Sequence, residues 1–366
     1  MKRYLLLILS SLLFIEIAVA QKRVVDAIDN SPVASAPIFN TTGNVVGMTS
    51  FDGDFSDIPE SAYPITIRCI GYESLIIEES KDTTILMLPS VYELEEVVVS
   101  AKRDVLKQTF YVREYFTLSN ATDTVSYFLE HMADRYVATS EDIKFSKNSL
   151  RNRNCRSYVH FKVENVDSVA YESEPSFPSF LSIVQFINKE FDTQKFFKDQ
   201  TGATKLYEDK GKSGTTMLLK QNENTLTMVA DFLADSKDHD YSNLLLKMIG
   251  LSMNIEQLYS TFIYEANDSG HYLPKDLIQT GIVMEAEGKG KLFRLMLNSK
   301  TPVAINSSIE LYVVDREYLS KEQAKKEYKD KKSKIPFEIP ASVPDLDEAT
   351  KQLVKRANAL KNDKPV

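Results

Sequence analysis

The 366-residue chain has only 12 glycines, and that scarcity closes off one class of function. Gly211-Lys212-Ser213 ends like a phosphate-binding loop, but the position five residues before Gly211 is Leu206. The cradle of backbone amides that such a loop needs is therefore not encoded. Histidine is scarcer still: His131, His160, His239 and His271 are the only four, and no two stand at metal-ligand spacing. Asp238-His239-Asp240 is the densest ligand-type cluster and reads as a polar loop. There are two cysteines, Cys69 and Cys155. Cys69 shares a strand face with Ile65 and Ile67 by the two-residue alternation, so it reads as a buried thiol in preference to half of a disulfide. No Gly-x-Ser-x-Gly elbow occurs. Glu285 and Glu287 fall on one strand face, where two carboxylates could serve glycoside hydrolysis, but alternating acids are the usual mark of a strand's wet side. The residues thus nominate no catalytic, metal or cofactor set.

Positive charge is also in deficit, with 44 Lys and Arg against 52 Asp and Glu, a formal charge of −8. An acidic surface repels phosphate backbones, so no nucleic-acid partner is expected. Long apolar runs are missing after the first 20 residues. Those 20 carry Lys2 and Arg3, then an apolar stretch ending in Ala18-Val19-Ala20, the pattern of a secretory signal peptide. Cleavage after Ala20 predicts an exported chain in which at least two domains are expected from its length.

What is present begins with short β-branched runs. VVDAI, APIFN, VVGMTSF, ITIRCI, SLIIEE, TTILML and EEVVVSA are separated by Asp, Asn, Gly, Pro or Ser, and predict a seven-stranded β-sandwich over residues 21–101. Asp52-Gly53 and Asn40 to Gly43 supply its turns; a calcium reading of Asp52, Asp54 and Asp57 is weaker than a plain hairpin. The order Val25-Asp26, Pro32-Val33, Ala36-Pro37-Ile38, Gly47-x-Thr49, Asp52-Gly53-Asp54-Phe55, Ile70-Gly71-Tyr72-Glu73, Leu88 and Leu94 to Val99 resembles the carboxypeptidase-regulatory-like domain. That resemblance implies a transthyretin-like sandwich, frequent in exported proteins of the Bacteroides group and often placed before TonB-dependent transporters. The transporter barrel does not follow here: 263 residues remain after Arg103, without repeated ten-residue alternating strands.

Residues 102–335 predict an α+β domain. Val125, Phe128, Leu129 and Met132 give helical spacing over residues 123–136, and residues 176–191 and 241–250 repeat the signature. Strands are expected at RSYVHFKVENV, TTMLLKQ, NTLTMVADF, LYSTFIYEA, IQTGIVMEAEG, KLFRLMLN and SSIELYVVD, the last four forming an antiparallel meander. In outline this is similar to the half-barrel of LolA-like periplasmic carriers. Ser320 and Gln323 make a capping box for a charged helix. Residues 336–366 read as a Pro-rich connection and a C-terminal amphipathic helix with Leu346, Leu353, Val354, Ala357 and Leu360 on one stripe.

The sequence therefore leads to a non-catalytic exported protein, periplasmic or peripherally associated with the outer membrane. Its sandwich serves interaction or stability, and its larger domain binds envelope proteins or an apolar small molecule. Two alternatives stay open: a LolA-like carrier with a cavity against the meander of residues 257–315, or a hydrolase built from Asp235, Asp238 and His239.

Overall fold

The computed structural model describes most of residues 22–362; residues 91–103, 173–204, 209–215, 234–251, 292–301 apart from Phe293 and Leu297, and some shorter stretches lie outside the description. Its architecture is dominated by β-structure in three sheets, with two regular α-helices among the described elements. Seven short strands come first: β1 (Lys22–Asp26), β2 (Pro37–Phe39), β3 (Val45–Met48), β4 (Asp54–Phe55), β5 (Ile65–Ile67), β6 (Leu75–Ile77) and β7 (Thr84–Met87). They form a three-stranded sheet, order β4-β1-β7, and a four-stranded sheet, order β3-β2-β5-β6. Val24, Ile38, Phe55, Ile67, Ile85 and Met87 from both sheets pack into one core. Gly53 turns the chain between β3 and β4 at φ +79, where a Cβ would collide with the Val24 carbonyl, so this hairpin requires glycine. Six of the expected runs lie on these strands; EEVVVSA lies outside the described residues, and the remaining strand is Asp54–Phe55, which reads as turn in the sequence.

The second part is one ten-stranded antiparallel sheet. Its strands are β8 (Val105–Ser119), β9 (Thr124–Ala138), β10 (Arg151–Val163), β11 (Val166–Glu172), β12 (Lys205–Glu208), β13 (Thr216–Gln221), β14 (Thr225–Asp231), β15 (Ser252–Glu265), β16 (Leu277–Lys289) and β17 (Val303–Leu319). The order is β11-β10-β9-β8-β17-β16-β15-β14-β13-β12. Two meanders thus join through β17 and β8, leaving β11 and β12, neighbours in sequence, at opposite ends of the sheet. Sheets of this width accumulate twist and coil.

The expected mixture of helices and strands is corrected in two places. Residues 123–136 are not a helix but β9, paired with β8 from Val105↔Ala138 to Ser119↔Thr124. Both faces of β9 are buried: Val125, Leu129 and Ala133 join the large core on one side, while Phe128 and Met132 pack on the other. Two-sided burial writes a continuous apolar run, in which helical spacing arises without a helix. Conversely, KLFRLMLN does not continue the meander, because Lys291, Phe293 and Leu297 are α-helical. Phe293 and Leu297, four apart, both enter the large core. The helices expected at 176–191 and 241–250 lie outside the described residues.

The chain closes with α1 (Lys321–Lys329) and α2 (Glu348–Asn362). The capping box opens α1: Gln323 N donates to Ser320 Oγ at 3.3 Å, and Ser320 N donates to Gln323 Oε1 at 2.9 Å. Leu346, Leu353, Val354 and Ala357 cluster with Phe128 and Tyr158 of the large sheet and Phe39 of β2, while Leu360 stays exposed.

Candidate ligand-binding face

Strand alternation divides the large sheet into two faces of different chemistry. The first meets the small sheets. Arg68, just after β5, places Nη2 2.9 Å from Glu310 Oε1 and Nη1 3.2 Å from Asp347 Oδ2, and donates to Tyr115 Oη at 2.7 Å. Burial opposes its charge, but Glu310, Tyr115, Tyr312 and Asp347 more than compensate and raise its basicity. Ser35 Oγ lies 3.1 Å from Thr261 Oγ1, Val45 N donates to Thr117 Oγ1 at 3.1 Å, and Lys220 pairs with Asp26 and Asp29. Gly281 lets Ile70 approach so closely that a Cβ there would stand 2.7 Å from Ile70 Cδ1. This face is an internal interface.

At its rim, Glu256, Glu285, Glu287 and Asn306 line a recess of about 260 Å³. Burial, then the neighbouring Glu256, pushes the Glu285 carboxyl up to about 7. The two strand acids noted in the sequence thus lie at one recess, with Lys289 held 2.7 Å from Glu287. A proton-holding carboxyl and a neutralised one are the chemistry present; neither faces a nucleophile or a leaving-group donor among the described residues.

The second face is apolar. Phe110, Val112, Phe116 and Leu118 of β8, Ile282 and Met284 of β16, and Ile305, Ile309 and Leu311 of β17 belong to a single cluster. That cluster also takes Val159 from β10 and Leu219 from β13. Most polar groups on this face are buried. His131 Nε2 lies 2.8 Å from Glu114 Oε1, and both side chains are almost fully enclosed. Burial opposes the imidazolium, but Glu114 and then Cys155 outweigh it and raise His131 to about 10. Cys155 Sγ stands 4.0 Å from the same Nε2, and Asn152 Nδ2 lies 2.9 Å from Nδ1. Nε2 is committed to Glu114 and Nδ1 to Asn152, so neither ring nitrogen is left to activate the thiol, and this Cys–His pair is structural in kind. Four further hydroxyls of this face, Ser157, Thr280, Ser260 and Ser307, are buried without a hydrogen-bond partner.

Other candidates fall apart. His160 pairs with Asp167 at 3.2 Å at the sheet's margin. Cys69 and Cys155 are both free, and burial with Glu310 nearby pushes the Cys69 thiol up to about 12. Asp52 and Asp54 belong to the hairpin, where Ser50 accepts from both backbone amides. Asp235, Asp238, His239, Asp240, His271 and Gly211 to Ser213 lie outside the described residues. Among the described residues no His, Cys, Asp and Glu group is arranged to hold a metal, and no helix is long and apolar enough to cross a membrane. Residues without motif character, Arg68, Glu310 and Arg135, hold the structurally consequential positions; inward-facing charges in otherwise apolar strands were the signal available for them. No family model and no curated protein matches the chain.

Proposed function

We propose that this is a non-catalytic exported protein that binds an apolar ligand on the inner face of its ten-stranded sheet. The observation that carries the reading is the division of that sheet: one face is covered by the N-terminal sheets, while the other gathers a single buried apolar cluster between β11 and β12, which do not pair with each other. Closing those ends would give a barrel; leaving them apart gives a trough of the kind seen in outline in LolA-like carriers. On the same reading, the N-terminal part is a carboxypeptidase-regulatory-like sandwich of transthyretin type, the helices pack as supports, and residues 1–20 direct export to the periplasm or the outer-membrane surface. The sandwich then acts as a brace, since its contacts spend the sheet's outer face. The hydrolase reading rests on Asp235, Asp238 and His239, which lie outside the described residues; among the described residues the His131–Cys155 pair is locked by Glu114.

The test is the intact mass, under native conditions, of the mature protein isolated gently from its own envelope. Added mass that disappears on extraction with organic solvent is the expected result. A bare polypeptide mass in every charge state would overturn the ligand-binding reading.

A further inference from the structure

The chain has a formal charge of −8, yet α1 turns three unpaired cations outward. Within Lys321–Lys329 stand four lysines and two acids. The inner side of this helix is fixed. Ala324 is fully buried with Val105, Tyr136 and Leu319, and the Tyr328 ring lies 5.9 Å from that of Tyr136. One of the two acids is engaged elsewhere, since Glu327 Oε2 lies 3.0 Å from Lys107 Nζ. Lys325, Lys326 and Lys329 are exposed, and among the described residues no carboxylate stands within ion-pairing distance of them. Helix stability does not account for this arrangement. Lys325 and Lys329 are four residues apart, and Lys326 and Lys329 three apart, spacings at which like charges repel. Nor does the end of the helix need them. Arg151 of β10 donates to Glu327 O at 3.4 Å, to Tyr328 O, and to Asp330 O at 2.6 Å, while Arg153 donates to Asp330 O at 3.2 Å. The last carbonyls and the negative end of the helix dipole are thus already met by two guanidinium groups. Those bonds also hold the helix to the sheet, so its lysines are presented in a fixed orientation.

We propose that the outer face of α1 is a docking surface for an anionic phospholipid bilayer, held at the level of the head groups. The assignment goes beyond the ligand-binding reading above and holds with or without an apolar ligand. Two features select a bilayer over a protein partner. The exposed residues of α1 are Glu322, Gln323, Lys325, Lys326 and Lys329, with neither an arginine nor an apolar side chain among them. Lysine is depleted from the centres of protein interfaces, where arginine and aromatic residues concentrate. An ammonium group is also a hydrated point charge with little directional demand, which suits the smeared negative charge of a lipid surface. The acidic remainder of the molecule does not cancel this attraction, because charges more than about 10 Å from the lipid are screened by salt. With no apolar side chain to insert, the contact is electrostatic and reversible by salt.

The experiment is co-sedimentation of the mature protein with vesicles of phosphatidylcholine alone and of phosphatidylcholine with about 30 % phosphatidylglycerol, at about 50 mM and about 300 mM salt. Binding is expected to the anionic vesicles only, and to fall by about tenfold or more at the higher salt. Lys325→Gln, Lys326→Gln and Lys329→Gln together are expected to lower the low-salt partition coefficient by about tenfold or more. The same loss of charge at exposed Lys162, Lys291 and Lys355, each changed to Gln, is expected to leave it within about twofold. All six side chains are exposed, and unchanged circular dichroism of both variants checks that the fold is kept. Equal binding to neutral vesicles, or no binding to anionic ones, overturns the proposal. An equal loss in the two triple variants overturns α1 as the site. Retention on immobilised polyglutamate without sedimentation on vesicles overturns the choice of a bilayer in favour of an acidic polypeptide.

Discussion

Glu285 shows how much one side chain reports of its surroundings. It sits on a strand beside Glu256, partly enclosed, with its carboxyl at about 7 in the folded chain against 4.5 for an unperturbed glutamate. The folded chain therefore holds this proton more tightly than the unfolded one. The contribution to stability is fully present below pH 4.5 and is lost as pH rises toward 7. Replacing the carboxyl by an amide removes the titration. Glu285→Gln is expected to match the wild type near pH 4 and to exceed it by about 1–3 kcal/mol above pH 7. Urea unfolding of both proteins at the two pH values checks this; parallel loss across the whole range would mean that the carboxylate is stabilised by a partner.

At the level of elements, α2 illustrates how a helix too short to persist alone is fixed by its apolar stripe. Ala357 is fully buried where α2 crosses the sheet beside Phe128 and Tyr158. Ala357→Glu puts a carboxylate into that contact and is expected to cost about 3 kcal/mol or more, or to release the helix. Hydrogen exchange of residues 348–362, deprotected in the variant while β8 and β17 stay protected, would distinguish release from general destabilisation. The α2 stripe was legible in the sequence because one side of the helix faces water and its period survives. The same rule explains what was not legible. In β8 the run from Phe110 to Leu118 is buried on both faces, so no alternation announces a strand; in β9 the same condition counterfeits a helix. Phe293 and Leu297 belong to a run as apolar as its neighbours, in which strand and helix read alike; both residues are helical and enter the large core. Short strands such as β1, β5 and β7 were readable because turns bracket them. The meander of β15 to β17 could be anticipated in part, but not its junction with β8, which pairs with β17 only in the assembled sheet.

The whole molecule is tied together at Arg68. This side chain leaves the small sheets, meets Glu310 in the middle of β17, and reaches Asp347 just before α2, so one guanidinium touches three distant parts of the chain. Sequence separations of 242 and 279 residues make these contacts late and costly in chain entropy, and they reward only complete assembly. The sheet's outer face also buries Tyr111, Tyr115, Phe128 and Tyr312, which the small sheets, α2 and the connection before it must cover. The two parts are therefore expected to unfold together, in a single transition by both circular dichroism and tyrosine fluorescence. Arg68→Met leaves Glu310 enclosed without its main counter-charge and is expected to lower stability by about 3–5 kcal/mol. Adding Glu310→Gln is expected to restore a large part of that loss, because an enclosed charge without a partner costs more than an enclosed neutral pair. A biphasic curve for the wild type, or a double variant no better than the single one, would mean that the two parts fold independently and that the N-terminal sheets ride on the large sheet without bracing it.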